Sequence, residues 1–99
     1  MSITSSVSDN GKVVTIQVSG RFDFATHQEF MRAYKEHARG EKEFVVDLKN
    51  AEYLDSSAMG MLLQLRDYGK GADVRILNGN DAVREILRIA NFEKLFSIA

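Results

Sequence analysis

The stretch Phe44-Val45-Val46-Asp47-Leu48 is a nearly continuous apolar run rich in β-branched residues. It is too short for a helix, and runs of this kind mark strands covered on both faces of a parallel sheet. Its flanks sharpen the constraint. Upstream, Phe30, Ala33, Tyr34, His37 and Ala38 recur at helical spacing, and downstream Ala58 through Lys70 is a second helical stretch. A buried strand between helices implies crossover connections and a layered α/β fold.

The remaining segments fit that frame. Val14, Ile16 and Val18 alternate with Thr15, Gln17 and Ser19, a period of two. Before them, Asp9-Asn10-Gly11-Lys12 is a turn signal, since Asn and Gly accept positive φ. Residues 2–8 and 12–19 therefore read as an antiparallel hairpin, with Gly20 ending the second strand. Thr26-His27-Gln28-Glu29 fits a capping box opening the first helix, which should close at Arg39-Gly40 with Gly40 in the left-handed position. Gly71 breaks the second helix. Val74 to Leu77 is another strand, and Asn78-Gly79-Asn80-Asp81 is a turn and cap. Val83, Ile86, Leu87 and Ala90 form an amphipathic stripe that ends at Asn91, and Leu95 to Ile98 can add a last strand. The order is β-β-α-β-α-β-α with an optional final β. It predicts a mixed sheet, with an opening antiparallel hairpin and parallel strands, in one domain spanning residues 1–99.

Composition narrows function by exclusion. The 99 residues carry a net charge of -1, without the basic footprint of a nucleic-acid binder. There is no cysteine, so disulfides, thiolate metal sites and thiol catalysis are ruled out. No run approaches the ~18 apolar residues of a membrane helix. The N-terminus lacks the basic and apolar regions of a signal peptide, so a cytoplasmic location without membrane contact is expected. No Gly-x-Ser-x-Gly elbow surrounds Ser56 or Ser57, and no P-loop spacing exists around Gly69-Lys70-Gly71. His27 and His37 lie on the first helix with no triad spacing. Asp23, Asp47 and Asp55 could converge at strand ends on a metal, but capping and turn formation account for them. No catalytic residue, cofactor or metal is expected.

The segment Asp55-Ser56-Ser57 offers three cap residues at the start of the second helix. A hydroxyl there also suits phosphorylation, because the added charge would sit near free backbone N–H groups at the positive end of the helix dipole. On a helical wheel, Ala58, Met61, Leu62, Leu65, Tyr68 and Gly69 form the core face. Met59 and Leu63 fall off it, beside Gly60 and Arg66. They are either the margin of a broad apolar face or a small patch reserved for a partner.

Tyr53-Leu54-Asp55-Ser56-Ser57-Ala58-Met59-Gly60-Met61-Leu62 resembles the hallmark segment of STAS domains of the bacterial anti-sigma factor antagonist family. Val18-Ser19-Gly20-Arg21-Phe22-Asp23 resembles that family's strand-Gly-x-apolar-Asp segment, so the likeness covers nearly the whole chain. The resemblance implies a STAS fold with helices packed mainly on one face. It implies phosphorylation at Ser56, with Ser57 as its neighbour, cap and alternative acceptor. It implies that the unmodified protein, a monomer, binds an anti-sigma factor that is also a serine kinase and so releases a sigma factor. A PP2C-type phosphatase would reset the switch. Asp23, Asp55, Ser57, Met59, Gly60 and Leu63 are the expected partner-binding residues. Two departures stand out: Ala58 replaces a common glycine, and the chain stops at Ala99, where many relatives add a helix. The alternative is a STAS-like accessory subunit of a membrane transporter that acts structurally, without a phospho-switch.

Overall fold

Five strands form one sheet in the order β1-β2-β3-β4-β5 in the computed structural model, which describes residues 3–37, 41–69 and 74–99. The strands are β1 (Ile3–Val7), β2 (Val13–Phe22), β3 (Glu43–Leu54), β4 (Val74–Leu77) and β5 (Ser97–Ile98). The helices are α1 (His27–Lys35), α2 (Ser56–Gly69) and α3 (Asp81–Ile89). β1 and β2 pair antiparallel, and every later neighbour is parallel. The hairpin turns where the sequence places it: Gly11 has φ +72, and Ser8 N–H donates to Val13 O at 2.8 Å.

Each parallel strand lies next to the one before it, always on the same side. Right-handed crossovers then put α1, α2 and α3 on one face. Burial agrees. Val14, Ile16, Val18, Phe44, Val46, Leu48, Val74 and Ile76 point into one cluster with Phe30, Leu62, Leu65, Val83 and Leu87 from the helices. The other face is uncovered: Gln17 and Arg75 are exposed, and Thr15 and Asp47 are half-buried. The expectation that β3 is covered on both faces is therefore overturned. Val45 is buried on the open face because it is flanked by Thr15 of β2 and Arg75 of β4.

Three boundaries also differ from expectation. Gly20 does not end β2; it takes φ +76 within the strand, between two register shifts against β3 at Gln17/Ser19 and Gly20/Arg21. β3 runs past Leu48 to Leu54, pairing with β2 along its extra length while β4 reaches only as far as Asp47. α1 ends at Lys35, so His37 lies beyond it, held by its N–H to Tyr34 O at 3.2 Å. The expected Gly40 cap, Lys70 and the Gly71 break lie outside the described residues. α3 behaves as read: Asn80 accepts from Val83 N–H at 2.8 Å, and Asn91, at φ +60, ends the segment.

Candidate functional site at the carboxyl ends of β2 and β3

The register shifts around Gly20 bring the ends of β2 and β3 level, pairing Arg21 with Tyr53 and Phe22 with Leu54. Beyond them the two chains stay tied, since Asp55 N–H donates to Phe22 O at 3.4 Å. Asp23 and Asp55 thus leave neighbouring strands side by side, and each caps the helical turn that begins just after it. The Asp23 carboxylate accepts from Ala25 N–H at 3.0 Å and opens a 3-10 turn over Phe24–Thr26. The Asp55 carboxylate accepts from Ala58 N–H at 2.9 Å, and its carbonyl accepts from Met59 N–H at 3.1 Å.

These caps correct two assignments. Thr26 does not cap α1: it is buried, and its hydroxyl donates back to Asp23 O at 2.8 Å. No capping box forms with Glu29. Ser57 does not cap α2 either, because Asp55 already takes the N–H of the third helical residue. Ser56 and Ser57 are the first two residues of the helix itself. Ser57 is half-buried. Ser56 is exposed, and its hydroxyl has no hydrogen-bond partner among the described residues.

The core face of α2 is as read from the wheel, with Ala58, Met61, Leu62, Leu65 and Gly69 buried and Tyr68 half-buried. Leu63 is off it, at 41% exposure. Met59 is not: it is half-buried and packs against the core. Gly60 is exposed, and a Cβ there would meet nothing within 4 Å. Leu63 also lines a groove of about 450 Å³ between α1 and α2, shared with His27, Met31, Tyr34 and Tyr68.

Three residues that sequence reasoning passed over complete this end of the molecule. Phe24 is 71% exposed and stacks on His27 with ring centroids 5.6 Å apart. Tyr53 is exposed and lies under the Arg21 guanidinium, 4.7 Å from its ring centroid. Arg21 also lies 3.5 Å from Asp23. Tyr53 was legible as the residue alternating with buried Leu54. Phe24 was not, since Phe22, two residues earlier, is fully buried. Asp47 does not join Asp23 and Asp55: it accepts from Lys49 N–H at 3.0 Å and from Asn78 Nδ2 at 3.1 Å.

The chain as a whole is similar to known proteins. The family model described as Mlab, STAS domain, fits residues 5–97. The chain belongs to this STAS-domain family. A STAS-domain containing protein of Pseudomonas aeruginosa (strain UCBPP-PA14) is 52% identical over 101 residues, covering 100% of both chains. Among solved structures, a putative anti-sigma factor antagonist of Thermotoga maritima superposes with a TM-score of 0.81 at 16% identity, over 97% of this STAS domain and 84% of that chain. The anti-sigma factor antagonist SpoIIAA in its unphosphorylated form gives a TM-score of 0.70 at 13% identity, over 98% and 86%. The fold of this STAS protein is thus that of anti-sigma factor antagonists.

Proposed function

We propose that this STAS protein is an anti-sigma factor antagonist, a binding module switched by phosphorylation of Ser56. Unmodified, it engages an anti-sigma factor that is also a serine kinase and frees the sigma factor. A PP2C-type phosphatase restores it. The observation that carries the reading is the division of labour at the start of α2. Asp55 does the capping, so the Ser56 hydroxyl is exposed and uncommitted. A kinase can reach it, and a phosphate there dismantles no hydrogen bond among the described residues.

The surroundings support a docking surface for the same partner. Asp23, Asp55 and Ser57 share this end with exposed Phe24 and Tyr53, and exposed Gly60 and Leu63 follow along α2. Aromatic anchors of this kind dominate many interfaces. Glycine in a helix costs roughly 0.5–1 kcal/mol relative to alanine, yet nothing inside the protein requires one at position 60. Close approach of a partner's backbone supplies the reason.

The test is a pull-down with unmodified protein and with protein phosphorylated on Ser56, followed by mass spectrometry of bound proteins and of Ser56. A serine kinase retained by the first bait and lost by the second is the expected result. Recovery of membrane-transporter subunits by both baits alike would replace the reading with that of an accessory subunit.

A further inference from the structure

β1 is an edge strand, paired on one side only among the described residues. The Ser8 N–H to Val13 O bond makes Ser8 and Val13 a hydrogen-bonded pair. Antiparallel pairs alternate. Along the register, Ser6/Thr15 and Thr4/Gln17 therefore also face each other through their backbones. The N–H and C=O groups of Ile3, Ser5 and Val7 consequently point away from the sheet, with no strand beside them among the described residues. Natural edges are usually guarded by charge, proline, a bulge or extreme shortness. β1 has none of these guards: its five residues are uncharged, contain no proline, and pair with β2 without a register shift.

The sequence of the strand says what fits. Ile3-Thr4-Ser5-Ser6-Val7 is nearly palindromic about Ser5. Turned antiparallel on a second copy, Ile3 meets Val7, Thr4 meets Ser6, and Ser5 meets Ser5. On the helix face two Ile3–Val7 pairs flank the Ser5–Ser5 pair, and on the open face Thr4 meets Ser6; β-branched and hydroxyl pairs of this kind are favourable across strands. Val7, 49% exposed, gains a neighbour. The rim of α1 above this edge shows a second open valence. Glu29 Oε2 is buried without a hydrogen-bond partner among the described residues, beside a cleft of about 130 Å³ lined by Ile3, Thr4, Ser5 and Arg32.

We infer that the protein forms a symmetric dimer by antiparallel β1–β1 pairing centred on Ser5, continuing the sheet across a two-fold axis. This departs from the monomer expected from the sequence. It rests on nothing at Ser56, so either reading can fail without the other.

The absence of native cysteine makes the register directly testable. In a hydrogen-bonded antiparallel pair the Cα atoms are about 5.5 Å apart, within disulfide range. Ser5→Cys should oxidise to a covalent dimer. Val7→Cys should not, because its counterpart lies four residues along the opposite strand, more than about 10 Å away. Sedimentation of the wild-type protein should show a concentration-dependent rise towards the dimer mass. Ser5→Lys, which sets like charges opposite each other, should weaken that association several-fold with melting temperature retained. A monomer mass at every concentration up to about 1 mM, or equal crosslinking of both cysteine variants, would overturn the inference.

Discussion

Replacing Asp55 isolates what holds the first turn of α2 in place. Its carboxylate accepts from Ala58 N–H at 2.9 Å, satisfying one of the orphan donors at the helix start. Loss of such a cap costs about 0.5–2 kcal/mol, and loss of a carboxylate beside the helix N-terminus adds about 0.3–1 kcal/mol. Asp55→Ala should therefore destabilise by about 1–3 kcal/mol. For a domain of this size each kcal/mol lowers the melting temperature by about 4–8 °C. Asp55→Asn keeps the acceptor and loses only the charge, so it should cost about 0.3–1 kcal/mol. Ser57→Ala should stay within about 0.5 kcal/mol. Calorimetry at low and high salt separates the two components. Added salt should shrink the difference between wild type and Asp55→Asn, and leave the difference between Asn and Ala in place. A neutral Asp55→Ala together with a costly Ser57→Ala would refute the cap assignment and, with it, the uncommitted state of Ser56.

Leu62→Ala, at a fully buried position, should cost about 2–5 kcal/mol in denaturant unfolding. Leu63→Lys should weaken partner binding in a titration while leaving the melting temperature unchanged, whereas Met59→Lys should lower both, since Met59 packs against the core. Gly60→Ala should raise stability by roughly 0.5–1 kcal/mol and reduce partner affinity; a variant that binds normally would leave that glycine unexplained. Burial first, and neighbouring Tyr68 second, raise the Tyr34 pKa above 10.0. A raised pKa contributes stability that is complete below the unfolded value and lost as pH rises through the folded one. Tyr34→Phe should accordingly soften the loss of stability seen in melts above about pH 10.

Much of the fold was legible because local and global signals agree along most of the chain. The Asp9-Asn10-Gly11 turn and the Asn80 cap each need only nearby residues, and both stand as read; the α2 core face stands but for Met59, which the wheel put off it and which packs against the core. The failures share a cause in competition between neighbours. Thr26 has the chemistry of a cap, but Asp23, three residues earlier, opens the 3-10 turn first and takes the threonine hydroxyl on its carbonyl. Ser57 loses to Asp55 in the same way. The long β3 was hidden for a different reason. Its buried residues Leu48, Ala51 and Leu54 recur every third position, which breaks the strand period of two. That spacing coincides with the register shifts against β2, and a shift of register is not written in one strand alone. At the candidate site, the helix start and Leu63 were visible in the sequence. Phe24 and the Arg21–Tyr53 stack were not, because they depend on how two strand ends lie beside each other.

On the proposed reading, phosphorylation of Ser56 should act on association and spare folding. A phosphate adds about -1.5 to -2 charge at neutral pH. At the first residue of α2 it meets the positive end of the helix dipole, worth roughly 0.3–1 kcal/mol when exposed. The Asp55 carboxylate one residue away opposes it by a similar order, and salt screens both. Since the unmodified hydroxyl bonds to no described residue, the modification breaks no hydrogen bond among them. Binding is another matter. A partner covering this surface must strip water from a multiply charged group, a penalty of several kcal/mol unless it brings its own cation. Phosphorylated protein should melt within a few degrees of the unmodified form and bind its partner orders of magnitude more weakly. Ser56→Asp should reproduce only part of that loss, having one charge and a smaller head group. Thermal melting and partner titration on the same samples distinguish the outcomes. Loss of cooperative unfolding on phosphorylation would mean an order-to-disorder switch instead, and unchanged affinity would leave Ser56 without a switching role.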